Sequence, residues 1–91
     1  MQLVVKGSFY RDWKKIQNKE LSKLLRNKID EIESARNSSQ ISHLKKLRNY
    51  SARYKIEITA GKKIYWALCL ISGNNIEFLR LKSETWFKKN L

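Results

Sequence analysis

Apolar residues near the start of the chain follow two patterns in succession. Residues 2–6, QLVVK, form a short run rich in β-branched side chains, which favours a strand. Phe9, Trp13 and Ile16 then recur at i, i+4 and i+7, the spacing of one face of an α-helix. Ser8 stands where a capping side chain is expected. The sequence therefore predicts a strand followed by a first helix that Ser8 caps.

A second amphipathic helix is predicted from Glu20 to Arg36. Its apolar stripe consists of Leu21, Leu24, Leu25, Ile29, Ile32 and Ala35. The charged residues expected to face elsewhere are Lys23, Arg26, Lys28, Asp30, Glu31 and Glu33. The polar residues 37–39 end this helix, and residues 41–47 are expected to form a short helical or irregular connection.

At Arg53 the pattern changes to a period of two, which is typical of a strand with one covered face. The residues on the apolar side are Tyr54, Ile56 and Ile58, and those on the other side are Arg53, Lys55, Glu57 and Thr59. We therefore expect a half-exposed strand whose cations stand together on the face away from the core.

Two turns and the apolar runs beside them predict the rest of the sheet. Residues 60–61 lead into residues 64–71, IYWALCLI, whose nearly continuous apolar run suits a central strand. Residues 72–75 make a second turn before a third strand, IEFLRLK. In that strand Arg80 breaks the apolar alternation, which indicates a position either at the rim of the core or in a functional site.

These elements together predict an α+β protein with a single domain, residues 1–91. Two N-terminal helices pack on a small, largely antiparallel sheet in the order β-α-α-β-β-β. A short C-terminal helix from Ser83 is expected to dock through Trp86 and Phe87. No proline, repeat or Gly/Ser-rich linker marks a domain boundary.

Charge and composition narrow the functional classes. Twenty Lys and Arg against eight Asp and Glu give a net charge of +12, which favours a polyanion or an acidic protein as partner. A hydrophobic fraction of 42% excludes a disordered basic tail. The single Cys69 and single His43 cannot form an internal disulfide or a zinc site, so we expect a reduced, cytoplasmic protein without metal or cofactor. Residues 64–71 are too short to span a membrane, and no membrane partner is expected.

Cations dominate the candidate chemistry, because the sequence lacks a Gly-rich phosphate loop and the HExxH and GxSxG motifs. RNA cleavage suits such a set. It needs a base for the 2′-OH proton, cations for the crowded phosphorane and an acid for the departing 5′-oxygen. The densest basic window spans residues 43–63. Within it Arg53, Lys55 and Glu57 share one strand face, and Lys63 begins the next strand, where we expect it near Glu57 or Lys55.

Four segments carry a family resemblance. VVKGSFYRDWKKI, HLKKLRNYSARYKIEI, GKKIYWAL and IEFLRL follow one another with the spacing of the RelE/ParE superfamily of toxins from type II toxin-antitoxin modules. The chain resembles this family over nearly its whole length. The resemblance implies a small α+β toxin that a cognate antitoxin wraps and neutralises. In the RelE branch the implied activity is metal-independent cleavage of mRNA on the ribosome by 2′-OH attack.

The resemblance also implies roles for individual residues. Lys55 matches the first basic residue of the family's Y-[RK]-I-[RK] strand, a candidate for proton transfer or phosphate contact. Lys63 matches the cation before the Ile of the next strand, a candidate for stabilising transition-state charge. Arg80 matches the Arg of the last strand, and Lys82 lies near a position where other members have His or Arg.

The chain departs from the family pattern at two places. Glu57 replaces the second basic residue of its strand, where it could act as a base activated by Lys55 and Lys63 or form a structural ion pair across the hairpin. The family's C-terminal H-R-K-D-I-Y run is KSETWF here, with Phe87 or Lys88 in the place of the tyrosine. The stacking role and the acid role are therefore left unassigned.

Three functional hypotheses follow. The first is a ribosome-dependent mRNA endonuclease that inhibits translation, with Lys55, Glu57, Lys63, Arg80 and Lys82 as catalytic residues. The candidate RNA-binding residues are Lys45, Lys46, Arg48, Tyr50, Arg53, Lys62 and Lys88. The second hypothesis is a ParE-like inhibitor of DNA gyrase, and the third is a catalytically degenerate RNA-binding relative. In each case a cognate antitoxin is the expected protein partner.

Overall fold

Five strands form one mixed sheet, and three α-helices flank it. The structure is a computed structural model that describes residues 1–48 and 50–90. Within these residues the elements are β1 (Gln2–Val5), α1 (Gly7–Ile16), α2 (Lys19–Ser34), a 3-10 turn (Ser38–Gln40), β2 (Leu44–Lys46), β3 (Arg53–Ala60), β4 (Lys63–Ser72), β5 (Asn75–Ser83) and α3 (Glu84–Asn90). The sheet order is β1-β5-β4-β3-β2, with β1 parallel to β5 and the other neighbours antiparallel. The predicted α+β class is confirmed.

Helices α1 and α2 each bury one apolar face against the sheet. Phe9 of α1 is fully buried, and so are Leu21, Leu25 and Ile32 of α2. Burial of side chains of this size stabilises the fold by roughly 1.5–3 kcal/mol each. The side chain of Asn18 caps α2 by accepting a hydrogen bond of 3.0 Å from the backbone N–H of Leu21. The amphipathic pattern of the sequence thus predicted both helices.

Ser8 does not cap α1, so this prediction is wrong. Lys6 is the residue that precedes the helix, and its side chain makes no capping hydrogen bond. Ser8 lies within the first turn, where its hydroxyl donates a hydrogen bond of 2.6 Å to the backbone carbonyl of Leu79. The serine therefore connects α1 to β5.

The core lies between these two helices and one face of the sheet. Its fully buried sheet residues are Ile56, Ala67, Cys69, Ile76, Phe78 and Leu81. Phe9 packs on Phe78 with their ring centroids 5.0 Å apart. In β3, Ile56 and Ile58 are buried while Lys55 between them is only partly covered, so the predicted period of two is confirmed.

A β-bulge accounts for the position of Arg80. Leu68 of β4 pairs with Arg80, whereas the next residue, Cys69, pairs with Phe78, so Leu79 has no partner in the register. One extra residue reverses the alternation of a strand. Phe78 can therefore point into the core while Arg80, two positions later, points to the opposite face.

The connection between α2 and β3 differs from the prediction. Helix α2 ends at Ser34 instead of Arg36. Residues 44–46, for which the sequence predicts a helical or irregular connection, form the edge strand β2 antiparallel to β3. A three-residue strand is too short to show a period, and its pairing with β3 supplies the hydrogen bonds that favour it. The sheet therefore has one strand more than the sequence predicts.

Lys28 of α2 is also placed differently from the prediction, since its side chain does not face solvent. Only 9% of the residue is exposed. Its ammonium group donates to a carboxylate oxygen of Glu31 at 3.0 Å, and to the carbonyl and hydroxyl oxygens of Ser42 at 3.1 and 2.8 Å. Burial raises the pKa of Glu31, but hydrogen bonds from Ser42 and Lys28 outweigh this effect and hold it below its usual value. The buried ammonium is thus fully partnered.

Helix α3 covers one end of the sheet face that lies opposite α1 and α2. Phe87 is buried, and its ring centroid lies 6.3 Å from that of Trp66 and 5.3 Å from that of Trp86. The predicted docking of a C-terminal helix through its aromatic residues is confirmed. In residues 1–48 and 50–90, no helix has both the length and the apolar character that a membrane span requires.

Candidate functional site

The face of the sheet opposite α1 and α2, here called the open face, carries most of the predicted site residues. Residues directly opposite one another in a sheet share a face. One row runs from Lys45 on β2 through Lys55 and Leu68 to Arg80 on β5. The neighbouring row consists of Glu57, Trp66 and Lys82. The register therefore brings four cations and one carboxylate to the same side of three adjacent strands and the edge strand β2.

Trp66 lies at the centre of this group. The ammonium nitrogen of Lys55 is 4.1 Å from the centroid of the indole, and that of Lys45 is 5.7 Å away. An ammonium group over an indole face is attracted by the quadrupole of the ring. Since Trp66 is only 6% exposed, it cannot swing away. The tryptophan thus holds two lysine side chains in a fixed position on the open face.

A groove of about 460 Å³ opens beside Trp66. Its lining residues are Leu47, Lys55, Glu57, Trp66, Glu84, Phe87 and Lys88. One wall comes from β3 and the other from α3, whose Lys88 forms an ion pair of 2.9 Å with Glu84. We call this feature the sheet groove. It places Lys55, Glu57 and Lys88 around one space and adds the buried aromatic residues Trp66 and Phe87 to its floor.

Glu57 is held in the groove by its backbone. Its N–H donates a hydrogen bond of 3.2 Å to the carbonyl of His43, a residue with a positive φ of 63° just before β2. Within the described residues its carboxylate takes part in no ion pair. His43 itself is exposed, as the sequence predicts. Glu57 therefore has a fixed main chain and a carboxylate available for chemistry.

Arg80 and Lys82 are bound to a residue that sequence reasoning missed. Asp12 of α1 is 5% exposed and accepts hydrogen bonds from Arg80 Nε at 2.8 Å and Arg80 Nη2 at 3.3 Å. Lys82 Nζ lies 3.2 Å from the same carboxylate. The backbone N–H of Leu81 donates to it as well, at 3.0 Å. One carboxylate thus satisfies two cations and one strand amide.

The ending of β1 explains why Asp12 is needed. Strand β1 pairs with β5 only from Gln2↔Asn75 to Val5↔Phe78, so the outer edge of β5 beyond Phe78 has no strand beside it. An unpaired amide in a buried place is costly. Burial raises the pKa of Asp12, but hydrogen bonds from Arg80, Leu81 and Lys82 outweigh it and hold this pKa below the usual value. The same contact raises the pKa of Arg80.

Lys63 is not brought to the sheet groove. It pairs with Ala60 at the end of the β3–β4 hairpin, while the residues opposite Glu57 and Lys55 are Trp66 and Leu68. The expectation that Lys63 lies near Glu57 or Lys55 is therefore wrong, because the strand pairing starts right at the turn. Lys63 and Lys62 instead border a separate depression with residues 83–85.

The predicted RNA-binding residues divide into two groups. Lys45, Arg53 and Lys88 lie on the open face or at the sheet groove, since Arg53 pairs with Leu70 in the same alternation as Lys55. The others lie elsewhere. Lys46 pairs with Tyr54 on the opposite alternation. Arg48 and Tyr50 are exposed between β2 and β3, and Lys62 is exposed in the β3–β4 turn.

Cys69 and the acidic residues offer little metal-binding chemistry. Cys69 is fully buried on the core side, and burial raises the pKa of its thiol, which keeps it protonated. Within residues 1–48 and 50–90, no three His, Cys, Asp or Glu side chains come together as metal ligands would. What the open face offers is charge, one free carboxylate and an aromatic floor.

Comparisons with known proteins support the fold. No protein-family model matches the sequence, and no curated protein matches it. The solution structure of the conserved hypothetical protein HP0894 from Helicobacter pylori is similar, with a TM-score of 0.57 and 18% sequence identity. The similarity covers 93% of this chain and 96% of that chain. At this level of identity the likeness shows a shared fold.

Proposed function

We propose that the protein is the toxin of a type II toxin-antitoxin module, with a RelE-like fold, and that it cleaves mRNA on the ribosome. The observation that supports this most directly is the sheet groove. Lys55, Glu57 and Lys88 line it, with Trp66 as its aromatic floor. Cations around a free carboxylate are the groups that cleavage of RNA by its own 2′-OH requires.

In the proposed reaction the carboxylate of Glu57 takes the proton of the 2′-OH. The 2′-oxygen attacks the adjacent phosphorus, so that a new P–O2′ bond forms while the P–O5′ bond breaks. The ammonium of Lys55 stabilises the charge that develops on the phosphorane oxygens. We assign the proton for the departing 5′-oxygen to Lys88 on α3. The products are a 2′,3′-cyclic phosphate and a 5′-hydroxyl end.

The remaining cations of the open face bind the RNA backbone in this proposal. Lys45 and Arg53 flank Lys55 in the register, and neither has an ion-pair partner within the described residues. Phosphate contacts of this kind fix the position of an RNA without reading its sequence. Arg80 and Lys82 are held by Asp12 and contribute a positive field at the edge of the site.

The proposed protein partner is a cognate antitoxin with an acidic segment. The open face carries more cations than acids, and an acidic segment that folds on binding would neutralise this face. Such a segment over the sheet groove would block RNA access directly. This explains how a single partner could silence the activity without any change in the fold.

The function is tested with purified protein on a defined mRNA in a reconstituted translation system. We expect new mRNA ends that depend on ribosomes and carry a 2′,3′-cyclic phosphate. Lys55→Ala and Glu57→Gln should each lower the cleavage rate about 100-fold or more, the usual effect of losing a catalytic group. Lys15→Ala, on the exposed side of α1, is the matched control and should stay within about twofold.

One result supports the alternative function, inhibition of DNA gyrase. The binding of Arg80 and Lys82 to Asp12 leaves fewer free cations for catalysis, which favours a non-cleaving role. Intact mRNA on translating ribosomes, together with inhibition of gyrase supercoiling at the same protein concentration, would establish that role and reject cleavage. Intact mRNA with no effect on gyrase would reject both activities.

A further inference from the structure

The outer side of the α1–α2 hairpin carries a second groove, which is built without any residue of the sheet. One part is lined by Tyr10, Trp13, Lys14, Gln17, Ser22 and Arg26. The adjoining part is lined by Gln17, Asn18, Lys19, Ser22 and Arg26. Since the two parts share three residues, they form one continuous feature, here called the hairpin groove. Its volumes are about 380 and 480 Å³.

An aromatic platform forms one side of the hairpin groove. The rings of Tyr10 and Trp13 are parallel within 1°, with centroids 6.2 Å apart. The indole N–H of Trp13 donates a hydrogen bond of 2.8 Å to the hydroxyl of Ser22, and its ring also meets Phe9 edge to face. Trp13 is therefore fixed, and it orients Tyr10, which is 50% exposed. An exposed aromatic ring that is already oriented loses little entropy when a ligand stacks on it.

Unpartnered cations form the other side of the groove. Lys14, Lys19 and Arg26 are exposed, and within the described residues none of them has an ion-pair partner. No carboxylate lines either part of the groove. The acidic residues nearest in sequence point elsewhere, since Asp12 binds the cations of β5 and Glu20 lies beside Gly61 in the β3–β4 turn. The groove is thus purely cationic.

We propose that the hairpin groove is a second RNA-binding site. In it the three cations contact consecutive phosphates, and an unstacked base lies on Tyr10. A cationic track beside an oriented aromatic ring suits single-stranded RNA better than an acidic peptide, because a peptide carboxylate has no use for the ring face. The site goes beyond the proposed cleavage activity, since it needs no catalytic group and lies on different elements.

The test is a binding titration of the full chain with a labelled RNA stem-loop whose 2′-hydroxyls are all methylated, so that cleavage cannot occur. The variant Lys14→Gln/Arg26→Gln should raise the dissociation constant about tenfold and reduce the salt slope of log K by about 1.5 to 2, as expected for two lost phosphate contacts. Tyr10→Ala should weaken binding about tenfold with an unchanged salt slope, and Tyr10→Phe should bind like the wild type.

The matched control is Arg11→Gln/Lys15→Gln, which removes two charges from the other side of α1. The proposal is overturned if this control weakens binding as much as Lys14→Gln/Arg26→Gln, because the general field alone would then explain the affinity. It is also overturned if Tyr10→Ala has no effect. Equal affinity for a poly-glutamate peptide, with the same losses in the variants, would assign the groove to an acidic protein instead and reject RNA.

The cleavage assay keeps this proposal separate from the proposed function. Lys55→Ala should abolish cleavage of ordinary mRNA while leaving the effect of Lys14→Gln/Arg26→Gln on the methylated stem-loop unchanged. If the wild-type protein does not cleave mRNA and the stem-loop results hold, the hairpin groove stands and the proposed function fails. If it cleaves and the hairpin variants bind like the wild type, the reverse conclusion follows.

Discussion

At the scale of single residues, Asp12 determines where two of the conspicuous cations of β5 lie. Its carboxylate accepts from Arg80, Lys82 and the backbone of Leu81, although it is 68 residues away from Arg80 in sequence. A cation in a strand that otherwise looks apolar invites a catalytic interpretation. Here the same cation helps to attach α1 to the edge of β5. A structural role for Arg80 is therefore established, whatever it adds to the electrostatics of the open face.

Asp12→Asn should lower the free energy of unfolding by about 2 kcal/mol at neutral pH, since charge-assisted hydrogen bonds are lost from a buried position. Because the folded pKa of Asp12 lies below its usual value, the stabilisation is present above the unfolded pKa and disappears as pH falls through the folded pKa. The difference between Asp12→Asn and wild type should therefore shrink in acid. Urea denaturation at several pH values measures it.

Asp30→Asn is the control for this experiment, because Asp30 is exposed on α2 and forms no ion pair within the described residues. It should change the free energy of unfolding by no more than about 0.5 kcal/mol. Equal losses in both variants would show that the contact between Asp12 and β5 contributes nothing of its own.

Trp66 allows a second test at the same scale. Trp66→Leu keeps an apolar side chain on β4 but removes the ring face beneath Lys55 and Lys45. We expect the cleavage rate in the ribosomal assay to fall about tenfold, since a cation–π contact at a partly desolvated site is worth on the order of 1–2 kcal/mol. Trp66→Phe retains an aromatic face and should lose less. Equal rates for Leu and Phe would reject a role for the ring.

At the scale of elements, the sequence predicted what repeats with a regular period and missed what depends on distant pairing. The stripe of α2 and the alternation of β3 are local patterns, so both were predictable. Strand β2 has three residues and exists through its pairing with β3. The bulge at Leu79 depends on the register with β4, although the misplaced charge of Arg80 was a visible sign of it. The position of Lys63 failed for the same reason, because register fixes it.

The candidate site was predictable to the same extent. Lys55, Glu57 and Arg53 share a face because alternation alone decides that. Trp66 was assigned to the core by its apolar neighbours, and only the register opposite Glu57 reveals that it also forms the floor of the sheet groove. Asp12 had no local signal, since a single Asp in a basic helix does not indicate its partner. Contacts between distant segments carry the part of the site that sequence patterns lack.

Helix α3 gives a prediction at this scale. Phe87→Ala removes the aromatic contacts with Trp66 and Trp86, and these are a large part of what holds the helix on the sheet. A buried Phe→Ala change costs roughly 3–5 kcal/mol where the element must stay in place. Because a seven-residue helix has little stability of its own, we expect it to detach while the rest stays folded.

Limited trypsin digestion followed by mass spectrometry measures this detachment. Cleavage after Lys88 and Lys89 should become much faster in Phe87→Ala, while the urea midpoint of the sheet and of α1 and α2 changes little. Thr85→Ala, at an exposed position of the same helix, should digest like the wild type. A single cooperative transition with a midpoint lowered to the full extent would show instead that α3 is part of the folding unit.

At the scale of the whole molecule, the net charge of +12 is a burden on the fold as well as a means of binding. Few of the cations are balanced, since the described residues contain five ion-paired cations, Lys6, Lys28, Arg80, Lys82 and Lys88. The remaining charges repel one another within a molecule whose extents are only 31 × 28 × 24 Å. Salt screens such repulsion over distances of about 10 Å at 0.1 M. The folded state should therefore gain from ions.

We expect the melting temperature to rise by several degrees between low and moderate NaCl, since about 1 kcal/mol corresponds to roughly 4–8 °C for a domain of this size. A polyanion such as heparin should raise it further at low salt, because it binds the folded state preferentially. Lys15→Glu/Lys23→Glu lowers the net charge from +12 to +8 at two exposed helix positions and should show a smaller response to NaCl. A melting temperature independent of NaCl in both proteins would mean that the unfolded chain repels itself as strongly as the folded one, so that the excess charge serves binding without a cost in stability.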